Sequence, residues 1–343
     1  MVKIDFVLPW VDGNDVAWQQ SKDRYSPKSD NDANANKRFR DMETLKYVLR
    51  SIEEHCPWYH KIYLITEGHV PKWLNLETDR VVLVSHESLY SDSTHLPVFS
   101  SSSIEMNLVN IEALSEQFVY LNDDVLIMQA VEPSRFFVEG KPVDFLSHGW
   151  IARNKLFDSI RPMDTWVHSL NNTIRLINQV FSPSSLDKAH LYHHSYGFKT
   201  KISNFLLATL YKKYFWFTHW HHPQAYLKST LKDVYDRFEE EMLDCSSNRF
   251  RDNSDLTAYL YRYWQLASGN FHPLQHHDGY DVDIVSHSYL KNAIDELRQN
   301  KKIYFACFND QMSNVTEEVF LESKEILVTY LNKKFPNKAS FEQ

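Results

Sequence analysis

Two adjacent carboxylates interrupt an apolar run near the middle of the chain. Phe118–Leu121 leads into Asn122, Asp123 and Asp124, and apolar Val125–Met128 follows. An apolar run of this length reads as a strand buried on both faces. Carboxylates at its carboxyl end are costly unless solvent, a cation or a metal meets them. The carboxyl ends of strands are also where open α/β sheets bind ligands. Mg²⁺ takes one or two carboxylates plus substrate phosphates, so Asp123 and Asp124 are candidate metal ligands. The plain alternative is a solvated turn, since Asn and Asp suit turns.

Cations cluster twice just ahead of helix-forming segments. Lys37, Arg38 and Arg40 precede Met42–His55, and Arg249 and Arg251 precede Leu256–Ala267. Cations at a helix start oppose the macrodipole. An anion must compensate, either local acids such as Asp41 and Glu43 or a bound phosphate. His219, His221 and His222 crowd together before Pro223. No Cys pair or HExxH pattern accompanies them, which disfavours structural zinc. A base or phosphate ligand is the better reading. Glu105 sits in the first turn of a segment read as a helix from Ile104 to Ser115. The dipole alone would account for it; the functional reading groups it with Asp123 and Asp124, because this helix feeds their strand. Trp10 stands beside the turn residues Val11, Asp12 and Gly13, where it is either core or a stacking surface for a base.

The elements that must position these groups alternate in type. Ile4–Trp10, Lys61–Thr66 and Val81–Ser85 read as strands, with helical periodicity over Met42–His55 between the first two. That order predicts an α/β fold, a mixed or parallel sheet with helices on its faces. Ser21–Asn36 has no periodicity and reads as a polar loop or lid. Met163–Gln179, Ile202–Tyr214 and Leu227–Met242 read as helices, which makes the middle of the chain a mostly helical lobe. Strands at Val282–Val285 and Ile303–Phe308 and helices at Tyr289–Asn300 and Thr316–Lys334 close the chain. The expected divisions are a core over 1–150, a helical lobe over 151–280 and an α/β segment over 281–343 that packs back on the core.

Composition narrows the function. A net charge of −8 argues against a general nucleic-acid binder, and only 7 glycines argue against a glycine-rich phosphate loop. Three scattered cysteines, Cys56, Cys245 and Cys307, fit a reducing compartment. The N-terminal apolar segment is too short for a signal peptide and contains Asp5. No stretch approaches the ~20 apolar residues of a membrane span. The expected location is the cytoplasm, and Lys333, Lys334 and Phe335 offer a contact with an anionic inner membrane face, with a solvated helix end as the alternative. Acid pair, arginines and histidines together suit displacement at a phosphate.

Four blocks then resemble the Stealth family of sugar-1-phosphate transferases: Ile4–Asp15, Arg38–Asn75, Ser93–Ile127 and Asn248–Trp264. The resemblance implies a glycosyltransferase-A-like core, a divalent cation (Mg²⁺ or Mn²⁺) and a UDP-sugar donor. It implies transfer of a hexose-1-phosphate, often N-acetylhexosamine-1-phosphate, to a hydroxyl of a saccharide or lipid-linked oligosaccharide, with release of UMP. By motif position Trp10, Val11, Asp12 and Gly13 would meet the nucleotide, and Arg38 and Arg40 the donor phosphates. Asp123 and Asp124 would hold the metal beside Glu105, Arg251 would contact the diphosphate, and His221 would act as base. Two positions depart from the family pattern: Pro9 replaces the more usual Thr or Ser, and Glu67 stands where Asp is common. The rival readings are an ordinary metal-dependent glycosyltransferase releasing UDP, and a non-catalytic saccharide-binding subunit.

Overall fold

The computed structural model describes residues 2–26, 40–148, 164–218, 221–312 and 315–343. Its centre is a mixed five-stranded sheet. Strand β1 (Ile4–Pro9) lies between β2 (Ile62–Thr66) and β4 (Gln117–Tyr120), parallel to both. Strand β3 (Val81–Ser85) extends the parallel side beyond β2. On the other edge β8 (Gln224–Leu227) runs antiparallel to β4. This last strand was not anticipated; its four residues lack the length of a periodic signal. Helices cover both faces, so the architecture is α/β as expected.

The sheet is apolar on both sides because both are covered. Phe6 and Leu8 of β1 face one hydrophobic cluster, and Val7 between them faces a second. The first cluster is filled by α2 (Leu45–His55), whose Leu45, Val48, Leu49 and Ile52 are buried, and by C-terminal elements. The second is filled by α4 (Thr165–Val180), α6 (Lys228–Ser246) and the aromatic α7 (Tyr259–Ser268). Asp5, the acid inside β1, is fully buried and saturated. Its carboxylate pairs with His60 Nδ1 at 2.8 Å and accepts the backbone N–H groups of Lys61 and Ser115.

The run Phe118–Met128 divides between two sheets. β4 belongs to the main one. β5 (Val125–Ile127) instead pairs antiparallel with β11 (Phe305–Asp310), which is parallel to β10 (Gly279–Ile284). Asn122, Asp123 and Asp124 are therefore the joint between the sheets. The Asp124 carbonyl accepts the Phe308 N–H at 2.9 Å, tying that joint to β11.

Three sequence expectations are corrected. Ser21–Tyr25 is helical, not loop: α1 (Val16–Tyr25) is capped by the Asp15 side chain and anchored by buried Trp18. The rest of that loop from residue 27 onward lies outside the described residues, as do Lys37 and Arg38. The helix read from Ile104 to Ser115 is α3 (Ser101–Met106) followed by a 3₁₀ turn at Leu108–Asn110. Asn107 breaks it, its side-chain amide donating to Ser103 O and Ser246 Oγ. The helix read at Ile202–Tyr214 is α5 (Phe198–Leu206) plus a π turn at Leu207–Tyr211, stopped by Lys212 at φ 55°. At the C-terminus, Phe335 is fully buried and its carbonyl accepts from Arg50 Nη1. It cannot enter a membrane.

A buried ion pair pins the helical region to the sheets. Arg262 of α7 is 1% exposed and grips Asp144 of β7 (Lys141–Asp144) with two bonds of 2.7 Å, while its third arm donates to Thr218 O. Removing one partner of such a pair strands the other charge. Arg262→Leu should therefore lower unfolding free energy by about 3–5 kcal/mol in urea titration. A loss under ~1 kcal/mol would show that Asp144 finds water instead.

Candidate active site

A cleft of about 570 Å³ opens at the carboxyl ends of β1 and β4. Asp123 and Asp124 lie in it together with Trp10, Glu105, His221 and Arg251. Residues more than 120 positions apart in the chain thus share one cavity. The parallel strands β1 and β4 deliver Trp10 and the acids to the same end of the sheet, as the topology requires.

The acid pair is electrostatically perturbed. Burial holds the Asp123 carboxyl well above the usual range, and the neighbouring Asp124 and then Asp41 push it further. Burial also raises Asp124, against the opposing pull of His221 and of the Cys307 thiol. That thiol, itself pushed up by burial and by Asp124, stays protonated and faces Asp124 Oδ2 at 3.5 Å. The second oxygen, Asp124 Oδ1, is buried with no hydrogen-bond partner. A carboxylate oxygen in that state lacks the compensation that burial demands.

His221 stands between two acids. It acts electrostatically on Asp124 and on Asp281, and its backbone N–H donates to the Asp281 carboxylate. Nothing in the sequence singled out Asp281; the strand was read as starting at Val282, and only folding brings it to the histidine. His222 also lines the cleft, where its Nδ1 contacts the Gln224 side-chain amide at 3.1 Å. His219 lies outside the described residues.

The other expected residues divide by task. Arg251 lines the cleft, donates to Ser101 Oγ at 3.2 Å and faces Glu105 and Asp255 electrostatically. Arg40 also lines it, but its Nε donates to Asp310 at 2.9 Å and its Nη2 to Met312 O. Asp310 is thus the anion that its position called for. Glu105 has both oxygens engaged, one by the Tyr120 hydroxyl at 3.0 Å and one by the Ala258 N–H at 2.7 Å. It fastens α3 and β4 to the start of α7. Burial raises its carboxyl, an effect that these two bonds and Arg251 oppose. Val11 lines the cleft beside Trp10, whereas Asp12 and Gly13 shape the following turn: Asp12 accepts from Asn14 N and the Gly13 carbonyl from the Gln19 amide. Arg249, paired with Arg251 in the sequence, anchors a loop instead, donating to the carbonyls of Thr94 and Leu96.

Beside Trp10 the sequence missed a further polar group. His69 meets the Trp10 ring edge-on with centroids 6.3 Å apart. His86 lines the cleft, and burial with nearby His69 pushes it down to about 4. Glu67 Oε2 is buried with no hydrogen-bond partner. Each of these residues follows a strand end, which is the only signal that could have found them.

The chain is similar to known proteins along its whole length. Models of three Stealth conserved regions match the chain: region 1 over 2–30, region 2 over 38–144 and region 3 over 220–266. The capsular polysaccharide phosphotransferase WcwK of Streptococcus pneumoniae is 34% identical, covering 100% of this chain and 99% of its own length. The chain belongs to the Stealth family. An exopolysaccharide phosphotransferase of Lactiplantibacillus plantarum is 33% identical over 99% of this chain and 96% of its own. The receptor polysaccharide phosphotransferase WefC of Streptococcus gordonii is 32% identical over 99% of each. The solved galactosyltransferase LgtC aligns over 96% of this chain and 95% of its own at 10% identity, with a TM-score of 0.38, too distant a likeness to carry an inference. The Stealth regions hold every cleft residue discussed above except Asp310, which a C-terminal strand supplies, as another supplies Asp281 beside His221.

Glu67 gives this region a measurable pH signature. Burial, with Asp15 adding to it, pushes its carboxyl up to about 7. The unfolded chain loses this proton near its ordinary value of 4.5. Between those limits the folded state holds more protons, so stability falls as pH rises. Glu67→Gln removes that dependence. The variant should gain roughly 1–3 kcal/mol over the parent at pH 8 and little at pH 4.5. Equal gains at both pH values, read from urea titrations, would contradict the assignment.

Proposed function

We propose that this Stealth protein transfers a hexose-1-phosphate, specifically an N-acetylhexosamine-1-phosphate, from a UDP-sugar to a saccharide hydroxyl. UMP leaves and a phosphodiester remains in a cell-surface polysaccharide. One observation carries the reading. Asp124 presents a buried carboxylate oxygen without a partner in the cleft that also holds Asp123, Arg251 and His221.

Those groups fit a divalent cation. Among the described residues no three His, Cys, Asp or Glu side chains surround a metal position. Mg²⁺ does not need three, because it takes one or two carboxylates and draws its remaining ligands from phosphates and water. Asp123 and Asp124 would hold Mg²⁺ or Mn²⁺, whose charge would neutralise the donor diphosphate.

The chain's own residues account for the rest. Trp10 offers its ring to the base, beside His69 and His86. Arg251 meets the diphosphate oxygens, where its planar fork suits phosphate. His221 takes the proton of the acceptor hydroxyl. The freed oxygen then bonds to the β-phosphorus. The bond from that phosphorus to the bridging oxygen breaks, and its electron pair departs on that oxygen with UMP. Asp124 and Asp281 interact electrostatically with the imidazole ring, and the His221 backbone N–H donates to Asp281. Glu105 works through others, holding Tyr120 and the start of α7 at the cleft wall. Arg40, held by Asp310, serves the phosphates by charge at a distance. Trp166 and Tyr259 line the same cleft and suit a sugar face on the acceptor, whether free saccharide or lipid-linked oligosaccharide.

The nucleotide product decides the reaction. With UDP-N-acetylglucosamine and an acceptor, UMP should accumulate in step with product. UDP as sole nucleotide would place the bond cleavage at the anomeric carbon and reject the proposal. Asp124→Asn should reduce turnover at least ~100-fold, and an unaltered rate would remove Asp124 from the chemistry. EDTA should abolish activity and Mg²⁺ or Mn²⁺ restore it; full turnover in chelator would overturn the cation's part.

A further inference from the structure

Helix α5 is turned inside out. Its buried side chains are the polar Ser203 and Asn204, while Phe198 is 78% exposed, Ile202 44% and Phe205 53%. The inward Asn204 is satisfied: its amide donates to the carbonyls of Leu146 and Leu191, and its oxygen meets His148 Nδ1 at 3.1 Å. The outward apolar residues fall at i, i+4 and i+7, one stripe of a helix. The π turn continues the stripe with Leu210, 69% exposed. A folded chain left in water gains nothing from such an arrangement, since this apolar area could be removed from water only by a covering surface.

The charge around the stripe names that surface. From Lys188 to Lys232 the chain has no Asp or Glu, although its net charge is −8. The same segment carries seven lysines. Lys199, Lys212 and Lys213 are exposed beside the stripe, and Lys201 is half-buried. Apolar side chains flanked by lysines, without acids, match the requirements of a helix lying in the interface of an anionic bilayer. A protein partner with an acidic groove would share the charge but has no other support. No helix among the described residues is long and apolar enough to cross a membrane, so contact would be peripheral.

We infer that α5 and its π turn are an anionic-membrane docking surface. The face adjoins the cleft through the chain itself. The segment after the π turn reaches Thr218, held by Arg262 and by the Ser147 carbonyl, and His221 follows three residues later. Docking here would set the cleft close to the bilayer surface. The inference stands apart from the catalytic reading, because lipid binding needs no turnover.

Vesicle sedimentation with the full chain tests it. Vesicles of phosphatidylcholine with phosphatidylglycerol should pull down the protein, and pure phosphatidylcholine vesicles far less. Raising the salt to 0.5 M should release most of it. Phe198→Ser combined with Ile202→Ser and Phe205→Ser should weaken binding to the anionic vesicles at least ~10-fold. So should Lys199→Glu combined with Lys212→Glu and Lys213→Glu. All six positions are exposed, and an unchanged melting temperature checks that each variant remains folded. Equal binding to both vesicle types, no binding to either, or full binding by the apolar triple variant would overturn the inference. A wild-type dimer that the apolar triple variant converts to monomer, with no vesicle binding, would also overturn it and assign the face to a second copy of the chain.

Discussion

The structure depends on keeping two like charges buried at a joint. Asp123 and Asp124 occupy the few residues where the chain leaves one sheet and enters another. Apolar strands flank the half-buried pair at the foot of the cleft, and desolvation raises the energy of each ionised carboxylate. The fold stabilises the joint mechanically rather than electrically. The Asp124 carbonyl is tied to Phe308, the Leu121 N–H to Val7, and the Cys307 thiol approaches one carboxylate oxygen. No cationic side chain within the fold closes an ion pair on either acid among the described residues. An incoming cation and diphosphate would supply what is missing.

The arginines make the same point from the opposite side. Arg50 and Arg262 lie within helices, and folding completes them with carboxylates of Glu342 and Asp144. Arg40 is completed by Asp310. Each of these pairs joins segments more than a hundred residues apart, so each fastens tertiary structure. Arg251 lies in the cleft wall, where it donates to Ser101 Oγ and interacts electrostatically with Glu105 and Asp255.

Much of this could be read before folding. The main sheet was legible because its strands are continuous apolar runs, and the acid pair because carboxylates cannot sit at such a strand end without a reason. Trp10, Glu105, Arg251 and His221 were found from helix starts, turns and clustered types, and the fold gathers them into one cavity. The parts that escaped share a cause. β8 is short, and its pairing with β4 is set by tertiary contact rather than periodicity. Asn107 breaks a helix through a side-chain bond to Ser246, nearly 140 residues away. Asp281 and Asp310 stand at ordinary strand positions, and only the antiparallel turn of β5 onto β11 brings their sheet to the cleft. Arg40's partner Asp310 escaped because it lies 270 residues away in the chain.

Carboxylates sharpen the contrast between fold and site. Asp5 is buried and Asp144 and Glu342 are half-buried, and every one accepts at least two hydrogen bonds. The buried carboxylate oxygens without any partner, among the described residues, are Asp124 Oδ1 and Glu67 Oε2. An orphaned hydroxyl costs little, because it can rotate toward a distant acceptor. An orphaned carboxylate oxygen has no such freedom, and each one lowers stability by an amount that selection could remove with a single amide. Asn at position 124 or Gln at position 67 would relieve the strain without changing shape. Under the proposed function, the demand at Asp124 lies outside folding, in the cation and diphosphate that would meet its orphaned oxygen at the carboxyl end of the sheet.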